Sequence, residues 1–183
     1  MLWPPFVTYC SESIRVLTST LMLFFFGVNM QSMTPQEASV NIWDFNYPCY
    51  LSPIPKGDKI THVPGQFEFK HLDGVHSFVM EGYKTEDKIY LCDVIPFYLW
   101  KKSVCNITYE KRLKIVRAIV FESIAKPEFV MDLDAVLIDN PAELTDYCDN
   151  LLTQGYERVR IMDVNGNYVF GQSNNGEYLE LAL

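Results

Sequence analysis

The chain has 183 residues, a net charge of −8 and a sequence pI near 4.8. This length suits one ordinary domain with a buried core, and twelve Phe with eleven Tyr argue against a disordered chain. Proteins that grip duplex DNA usually present clustered Lys and Arg, so the acidic balance argues against a large DNA-binding face. Five widely spaced cysteines without a CxxC pair suggest neither a zinc site nor a disulfide framework, which favours a reducing cytoplasm.

Residues 1–32 differ in composition from the rest of the chain. Residues 16–28 are apolar and uncharged, but this run is shorter than the roughly 20 residues that a membrane span needs. Three explanations stay open: translation that begins at Met30 or Met33, a signal or anchor, or a real structural segment. We expect no membrane contact unless this segment is real, and we expect residues 33–183 to form a single domain.

The first predicted elements of this domain are strands. Residues 47–65 are rich in proline, which predicts an irregular lead-in. Alternating polar and apolar residues then predict half-buried strands, with a turn at residues 72–74 and a polar hairpin connection at residues 82–87. The three predicted strands cover residues 66–70, 75–81 and 88–95, and Pro96 ends the last of them.

The next predicted element is an amphipathic helix between a Thr108 cap and Pro127. An apolar stripe at 3.6-residue spacing predicts it, with Lys and Arg elsewhere around the helix. The members of this stripe are Tyr109, Leu113, Val116, Val120 and Ile124. Two short strands at residues 129–131 and 135–138 are predicted to follow.

The last part of the chain predicts a second helix and a hairpin. Asn140-Pro141 is a favourable cap and first position for a helix over residues 142–154, which Gly155 closes. The tight turn at Asn165-Gly166 predicts a hairpin of residues 158–162 and 168–171, and residues 177–183 add a final strand. These elements together predict an α+β domain with mostly antiparallel sheets and two main helices.

Several motifs have an order and spacing that resemble one known family. They are Leu72-Asp73-Gly74-Val75-His76, the strand at residues 92–96, Gly155-Tyr156-Glu157, Gly166-x-Tyr168 and Phe170-Gly171-x-Ser173. From about residue 47 onward, the chain resembles the adenylation domain of the phage ATP-dependent DNA ligases. The resemblance implies the ATP-grasp-like nucleotidyltransferase fold of ligases and capping enzymes, in a shortened form and without the following oligonucleotide-binding-fold domain.

The resemblance also implies what the nucleophile motif, K-x-D-G-x-R, would do. In that family a lysine attacks the α-phosphate of ATP and carries AMP, while Mg²⁺ and further basic residues neutralise the phosphates. Here His71 stands at the lysine position and His76 at the arginine position, although Asp73-Gly74 is retained. Lys70 is one residue early, which on a strand sends its side chain to the opposite face.

The other motif positions are altered as well. Cys92, beside Asp93, stands where the family prefers an aromatic side chain that stacks on the adenine. Glu157 is retained at a position that would help to hold metal, and it is the one weak metal candidate. Gln172 replaces an arginine, and Glu180 replaces a phosphate-contacting lysine, where a carboxylate would repel a triphosphate. The resemblance therefore implies only vestigial cofactor-binding positions.

Two charged clusters suggest surfaces. Lys111, Arg112, Lys114 and Arg117 lie on the first predicted helix, as a solvated face or as a residual nucleic-acid or partner contact. The acidic residues that follow suggest a protein-binding surface instead. They are Asp132, Asp134, Asp139 and Glu143.

These losses favour a catalytically inactive, DNA-ligase-like pseudoenzyme. We expect a cytoplasmic phage or viral binding protein with a protein partner such as a DNA-processing or defence factor, weak or no nucleic-acid binding and no cofactor. The alternative is a divergent nucleotidyltransferase that uses ATP and Mg²⁺, with Lys70 or His71 as its nucleophile. A third hypothesis is a sensor that binds a nucleotide without covalent chemistry.

Overall fold

The fold is given by a computed structural model that describes residues 34–38, 45–66, 72, 75–121, 130–172 and 177–183. The predictions for residues 1–32 and for Lys70, His71, Asp73 and Gly74 lie outside these described residues, as does the predicted strand at residues 66–70 apart from Gln66. Within the described residues, no helix is long and apolar enough to cross a membrane.

Two four-stranded sheets dominate the fold. We call β10-β8-β2-β7 the first sheet and β3-β4-β5-β6 the second sheet, and a two-stranded pair, β1-β9, accompanies them. The strands are β1 Gln36–Glu37, β2 Cys49–Pro53, β3 Asp58–His62, β4 Phe78–Lys84, β5 Ile89–Pro96, β6 Val130–Asp132, β7 Val136–Ile138, β8 Arg158–Asp163, β9 Gly171–Gln172 and β10 Tyr178–Ala182. The β5–β6 and β1–β9 pairs are parallel, and the other strand pairs are antiparallel. The predicted α+β class is confirmed.

The described residues form three helices, α1 Phe97–Trp100, α2 Tyr109–Phe121 and α3 Pro141–Thr153. The described members of the apolar stripe of α2 are buried as predicted, and the helix packs on β5 of the second sheet, while Ile124 lies outside the described residues. Asn140 caps α3 by accepting hydrogen bonds from the backbone N–H groups of Ala142 and Glu143, both at 3.1 Å. The Glu143 carboxylate accepts in return from the backbone N–H of Asp139, which completes a reciprocal cap.

The proline-rich lead-in was interpreted wrongly as irregular. Residues 47–65 contain β2, at the centre of the first sheet between β8 and β7, and β3, at the edge of the second sheet. Pro53 is compatible with β2 because it is the last residue of the strand, where a missing N–H removes little from the ladder. Proline content marked the ends of these strands, not their absence.

The predicted hairpin after β8 is also wrong. β8 pairs with β2 and β10, whereas Tyr168 makes an isolated bridge with Cys105 and β9 pairs with β1. The Asn165-Gly166 turn instead contacts the start of α2, where the Gly166 carbonyl accepts a hydrogen bond from the backbone N–H of Tyr109. Two smaller corrections concern β4, which begins at Phe78, and α1, which the sequence did not predict.

Candidate functional site

Side chains of the two sheets and of α2 meet in a buried polar cluster. We call this group the interior cluster, and each charged member has an exposed fraction of 0%. Its members are Glu81, Asp93, Arg112, Arg160 and Tyr168. Four ionisable groups without access to water need one another, because an isolated buried charge is strongly disfavoured.

Asp93 is the centre of the interior cluster. Arg112 donates two hydrogen bonds to its carboxylate, from Nε at 2.7 Å and from Nη2 at 3.1 Å. Arg160 donates a third from strand β8 of the first sheet, at 3.3 Å, and the backbone N–H of Val94 donates a fourth at 2.8 Å. This carboxylate joins β5 to α2 and to the first sheet, so it holds the domain together.

Arg160 fills the space beside Cys92. Its guanidinium donates a hydrogen bond to the Cys92 sulfur and lies 4.5 Å from the centre of the Tyr178 ring. Burial raises the pKa of the Cys92 thiol to about 12, against the opposing effect of Arg160, so this thiol stays neutral. The position that the resemblance gives to an adenine stacker therefore faces a side chain of the protein itself.

Glu81 extends the cluster along β4. The Tyr168 hydroxyl donates to Glu81 Oε1 and accepts from the backbone N–H of Gln36 at 2.7 Å. Burial raises the pKa of the Glu81 carboxyl, and the charge of Asp93 raises it further, while Tyr168 and Arg160 act in the opposite sense. Protonation of Glu81 is therefore coupled to the folded state.

Glu180 of β10 lies in a second group of polar contacts, which involves side chains of β3, β4, β8 and β10. The hydroxyls of Tyr83 and Tyr178 and the guanidinium of Arg158 donate to its carboxylate, and Lys59 Nζ lies 3.6 Å away. Burial acts to raise the pKa of Glu180, but the Tyr178 hydrogen bond and the nearby cations outweigh it, so its pKa is lowered. A carboxylate with this set of donors is already satisfied.

An exposed ion pair lies just after β2. The sequence predicted one of its members, Glu157, but not the other, Lys56. Lys56 Nζ lies 2.6 Å from Glu157 Oε1, and the two side chains are 72% and 70% exposed. Lys56-Gly57-Asp58 matches the first three positions of K-x-D-G-x-R, although Lys59 stands where the glycine belongs. Gly57 is tightly placed, because a Cβ there would lie 2.3 Å from the Lys84 carbonyl oxygen. The K-x-D spacing could have identified Lys56. It was not considered because the lead-in was interpreted as irregular.

The predicted basic cluster of α2 is not one surface. Arg112 is buried in the interior cluster, so the structure corrects its assignment to an exposed face. Lys111 and Lys114 are exposed, and Lys114 pairs with Glu110 one turn away at 2.8 Å. Arg117 donates to the Ala135 carbonyl at 2.8 Å, which ties α2 to the chain before β7.

The remaining predicted site residues are separated. His76 is exposed in the segment before β4, and the side chain of Gln172 lies outside the described part of the chain. In the residues that the structure describes, no group of three or more His, Cys, Asp or Glu side chains could hold a metal ion. Of the predicted site residues, Cys92 and Asp93 both contact Arg160, Glu180 lies with Tyr83, Tyr178 and Arg158, and Glu157 lies with Lys56.

Comparison with known proteins identifies the fold. No protein-family model and no curated protein matches the chain. The Chlorella virus DNA ligase–adenylate matches with a TM-score of 0.59 and 20% identity, over 82% of this chain and 68% of the ligase. The bacteriophage T7 ATP-dependent DNA ligase in complex with ATP matches with a TM-score of 0.64 and 10% identity, over the same shares of the two chains.

A bacterial enzyme gives the same result. The ligase domain of M. tuberculosis LigD matches with a TM-score of 0.55 and 10% identity, over 83% of this chain and 60% of that domain. The chain therefore has the fold of the adenylation domain of ATP-dependent DNA ligases, and it spans only part of the length of each of them. The predicted nucleotidyltransferase fold is confirmed.

Proposed function

We propose that this chain, which has the fold of a DNA ligase adenylation domain, is a binding protein that transfers no adenylate. One observation carries the proposal: the buried Arg160 guanidinium lies against Cys92, where the resemblance expects an adenine base. A base needs an open slot with an aromatic or apolar face on each side. A charged side chain that is already paired with Asp93 is costly to displace, because its partner would be left buried and alone.

The phosphate end of the expected site supports the same proposal. Glu180 carries a negative charge and is satisfied by Tyr83, Tyr178 and Arg158. A triphosphate would be repelled by this carboxylate and would compete for its donors. The residues present do not fit ATP with Mg²⁺, so the proposed function includes no step through either.

The proposed partner is a protein. A net charge of −8 disfavours binding to the phosphate backbone of nucleic acids. Arg112 is buried, so it does not add to the exposed basic residues of α2. A phage or viral protein of this kind would act in the cytoplasm on a DNA-processing or defence factor, or on a viral replication protein. It would need no cofactor for this role.

Covalent labelling tests the first half of the proposal. The wild-type chain and its Lys56→Ala and Lys70→Ala variants would be incubated with α-labelled ATP and Mg²⁺, then separated by denaturing electrophoresis. We expect no labelled band in any of the three proteins. A band in the wild type that one substitution removes would overturn the proposal and identify the reacting lysine.

A second candidate function is a divergent nucleotidyltransferase, and one contact favours it. Lys56 and Glu157 lie 2.6 Å apart, and they pair a K-x-D lysine with the carboxylate that the resemblance assigns to metal. This candidate replaces Lys70 or His71 by Lys56 as the nucleophile. It predicts a labelled band that Lys56→Ala abolishes and that Lys70→Ala and His71→Ala leave intact.

A further inference from the structure

A groove beside α3 shares no lining residue with the interior cluster. It has a volume of about 610 Å³, within the usual range for a ligand site. Three tyrosines from different parts of the chain line it: Tyr90 of β5, Tyr147 of α3 and Tyr156 before β8. Pro53 and Leu133 contribute apolar surface between them. A groove lined by several aromatic side chains is suited to bind an organic ligand.

The tyrosines lie close to a carboxylate. Burial raises the pKa of the Tyr147 phenol, and the negative charge of Asp134 and the nearby Tyr156 raise it further. Asp134 is exposed, and it adopts a positive φ of 54° in the connection between β6 and β7. The groove thus combines electron-rich ring faces with a negative charge accessible to solvent, which together attract a cation.

The charges of the lining select the sign of the ligand. Among the described residues that line the groove, both charged ones are carboxylates, Asp132 and Asp134, and none is Lys or Arg. Asp132 is already 3.5 Å from Arg117 Nε, so Asp134 remains as the exposed charge. A phosphate-bearing ligand would be repelled here, whereas an Arg or Lys side chain would be attracted.

The strands at the margin indicate the form of the ligand. β6 is an edge strand of the second sheet and β7 an edge strand of the first sheet, and both contribute lining residues. Met131 of β6 and Val136 of β7 are 39% and 37% exposed, large values for apolar side chains. Edge strands with exposed apolar residues accept extended peptide segments.

We propose that this groove binds an extended basic segment of a partner protein and inserts one Arg or Lys side chain among Tyr90, Tyr147 and Tyr156, beside Asp134. The inference rests on the protein-binding half of the proposed function, and it specifies that the partner presents a basic, extended segment. It is independent of whether the chain reacts with ATP.

A fluorescent peptide tests the groove directly. The probe is a nine-residue peptide of alternating arginine and glycine, titrated into the full chain and followed by fluorescence anisotropy. The same peptide with lysine compares the two cations, and one with citrulline, which keeps the shape of arginine without its charge, is the control. We expect the charged peptides to bind and the citrulline peptide to bind at least about tenfold more weakly.

Groove variants separate insertion from general attraction. Tyr147→Leu should weaken arginine-peptide binding about two- to thirtyfold, the range of a cation–π contact, while Tyr147→Phe retains most of it. Asp134→Asn should weaken binding about two- to fivefold. The matched control Glu86→Gln removes a charge from the exposed β4–β5 turn and should leave the affinity unchanged. Thermal melts check that every variant is folded.

Several outcomes would overturn the inference. They are equal losses of peptide affinity in Asp134→Asn and Glu86→Gln, equal peptide affinities of Tyr147→Leu and Tyr147→Phe, no peptide binding up to about 1 mM, or preferential binding of a single-stranded oligonucleotide.

Capture of a partner protein distinguishes failure of the groove from failure of the proposed function. If the Tyr147→Leu, Asp134→Asn double variant captures the same protein as the wild type, the groove is wrong and the proposed function stands. If neither captures a protein, the proposed function itself fails.

Discussion

Two ion pairs of almost equal length lie in contrasting parts of this molecule. Asp93 and Arg112 are 2.7 Å apart with both side chains at 0% exposure, whereas Lys56 and Glu157 are 2.6 Å apart and about 70% exposed. Distance alone would rank them as equals. Burial separates them, because water screens the exposed pair and leaves the buried pair to depend entirely on its neighbours.

The contrast separates the charges that support the fold from those that lie at the surface. The interior cluster pairs its charges internally, through Asp93, Arg112 and Arg160, although Glu81 Oε2 and Arg160 Nε are buried without a hydrogen-bond partner among the described residues. The surface pair is exposed to solvent, so substitution of either residue is expected to affect the interior little. The buried charges and the exposed pair therefore lie in different regions, and each can be perturbed separately.

The largest effect is expected from Asp93→Asn. This change removes the carboxylate that pairs with both Arg112 and Arg160 in the interior, and it should lower the free energy of unfolding by about 3–5 kcal/mol. Urea titration measures it, with Glu157→Gln as the exposed control. Similar losses in the two variants would show that burial does not separate the pairs.

A smaller loss is expected from Arg160→Met, which keeps most of the side-chain volume. Asp93 retains both hydrogen bonds from Arg112, whereas the contacts of Arg160 to Asp93, to the Cys92 and Met162 sulfurs and to the Tyr109 and Tyr178 rings disappear. We expect a loss of about 1–3 kcal/mol in urea unfolding. Stability equal to or above the wild type would mean that Arg160 does not support the interior.

A pH-dependent effect is expected from Glu81→Gln. The pKa of Glu81 is raised in the folded state, so its contribution to stability is fully present below the unfolded pKa of about 4.3 and is lost as pH rises through the folded pKa. The variant should therefore gain on the wild type as pH rises, by about 1.4 kcal/mol per unit within that window. Urea unfolding from pH 4 upward measures the difference, with Glu86→Gln as control; parallel curves would refute the coupling.

The smallest effect is expected from Lys56→Ala. Because Lys56 is 72% exposed, its pair with Glu157 should contribute less than about 1 kcal/mol, and added salt should reduce this further. Unfolding at low and high ionic strength measures both quantities. A loss above about 2 kcal/mol, unchanged by salt, would contradict the description of this pair as separate from the core.

Local signals in the sequence predicted the helices well and the sheets less well. The apolar stripe of α2 and the Asn140 cap of α3 act within a few residues, so both helices appeared where expected. The partners of β8 are distant in sequence, and the Asn165-Gly166 turn suggested a neighbouring strand that the structure does not form. Strand pairing depends on the whole fold, and a turn signal alone does not determine it.

The candidate site shows the same division. Arg112 was placed on a basic face because of its charge, yet it lies three residues after Tyr109 and four before Val116, on the buried stripe. Helical spacing could have revealed this. The contact between Lys56 and Glu157, 101 residues apart, and the contact of Arg160 with Cys92 arise only when the two sheets assemble. Neither had a local signal beyond the K-x-D spacing.

Nucleotide binding by the wild-type chain would show whether this fold still accepts ATP. Isothermal titration calorimetry with ATP and Mg²⁺, repeated with ADP, would detect a bound nucleotide whether or not any covalent adduct forms. Because Arg160 lies against Cys92 and Glu180 is satisfied by its own donors, we predict no saturable heat up to about 1 mM nucleotide. Saturable one-to-one binding of ATP would contradict the account and would show that the interior opens to admit a ligand.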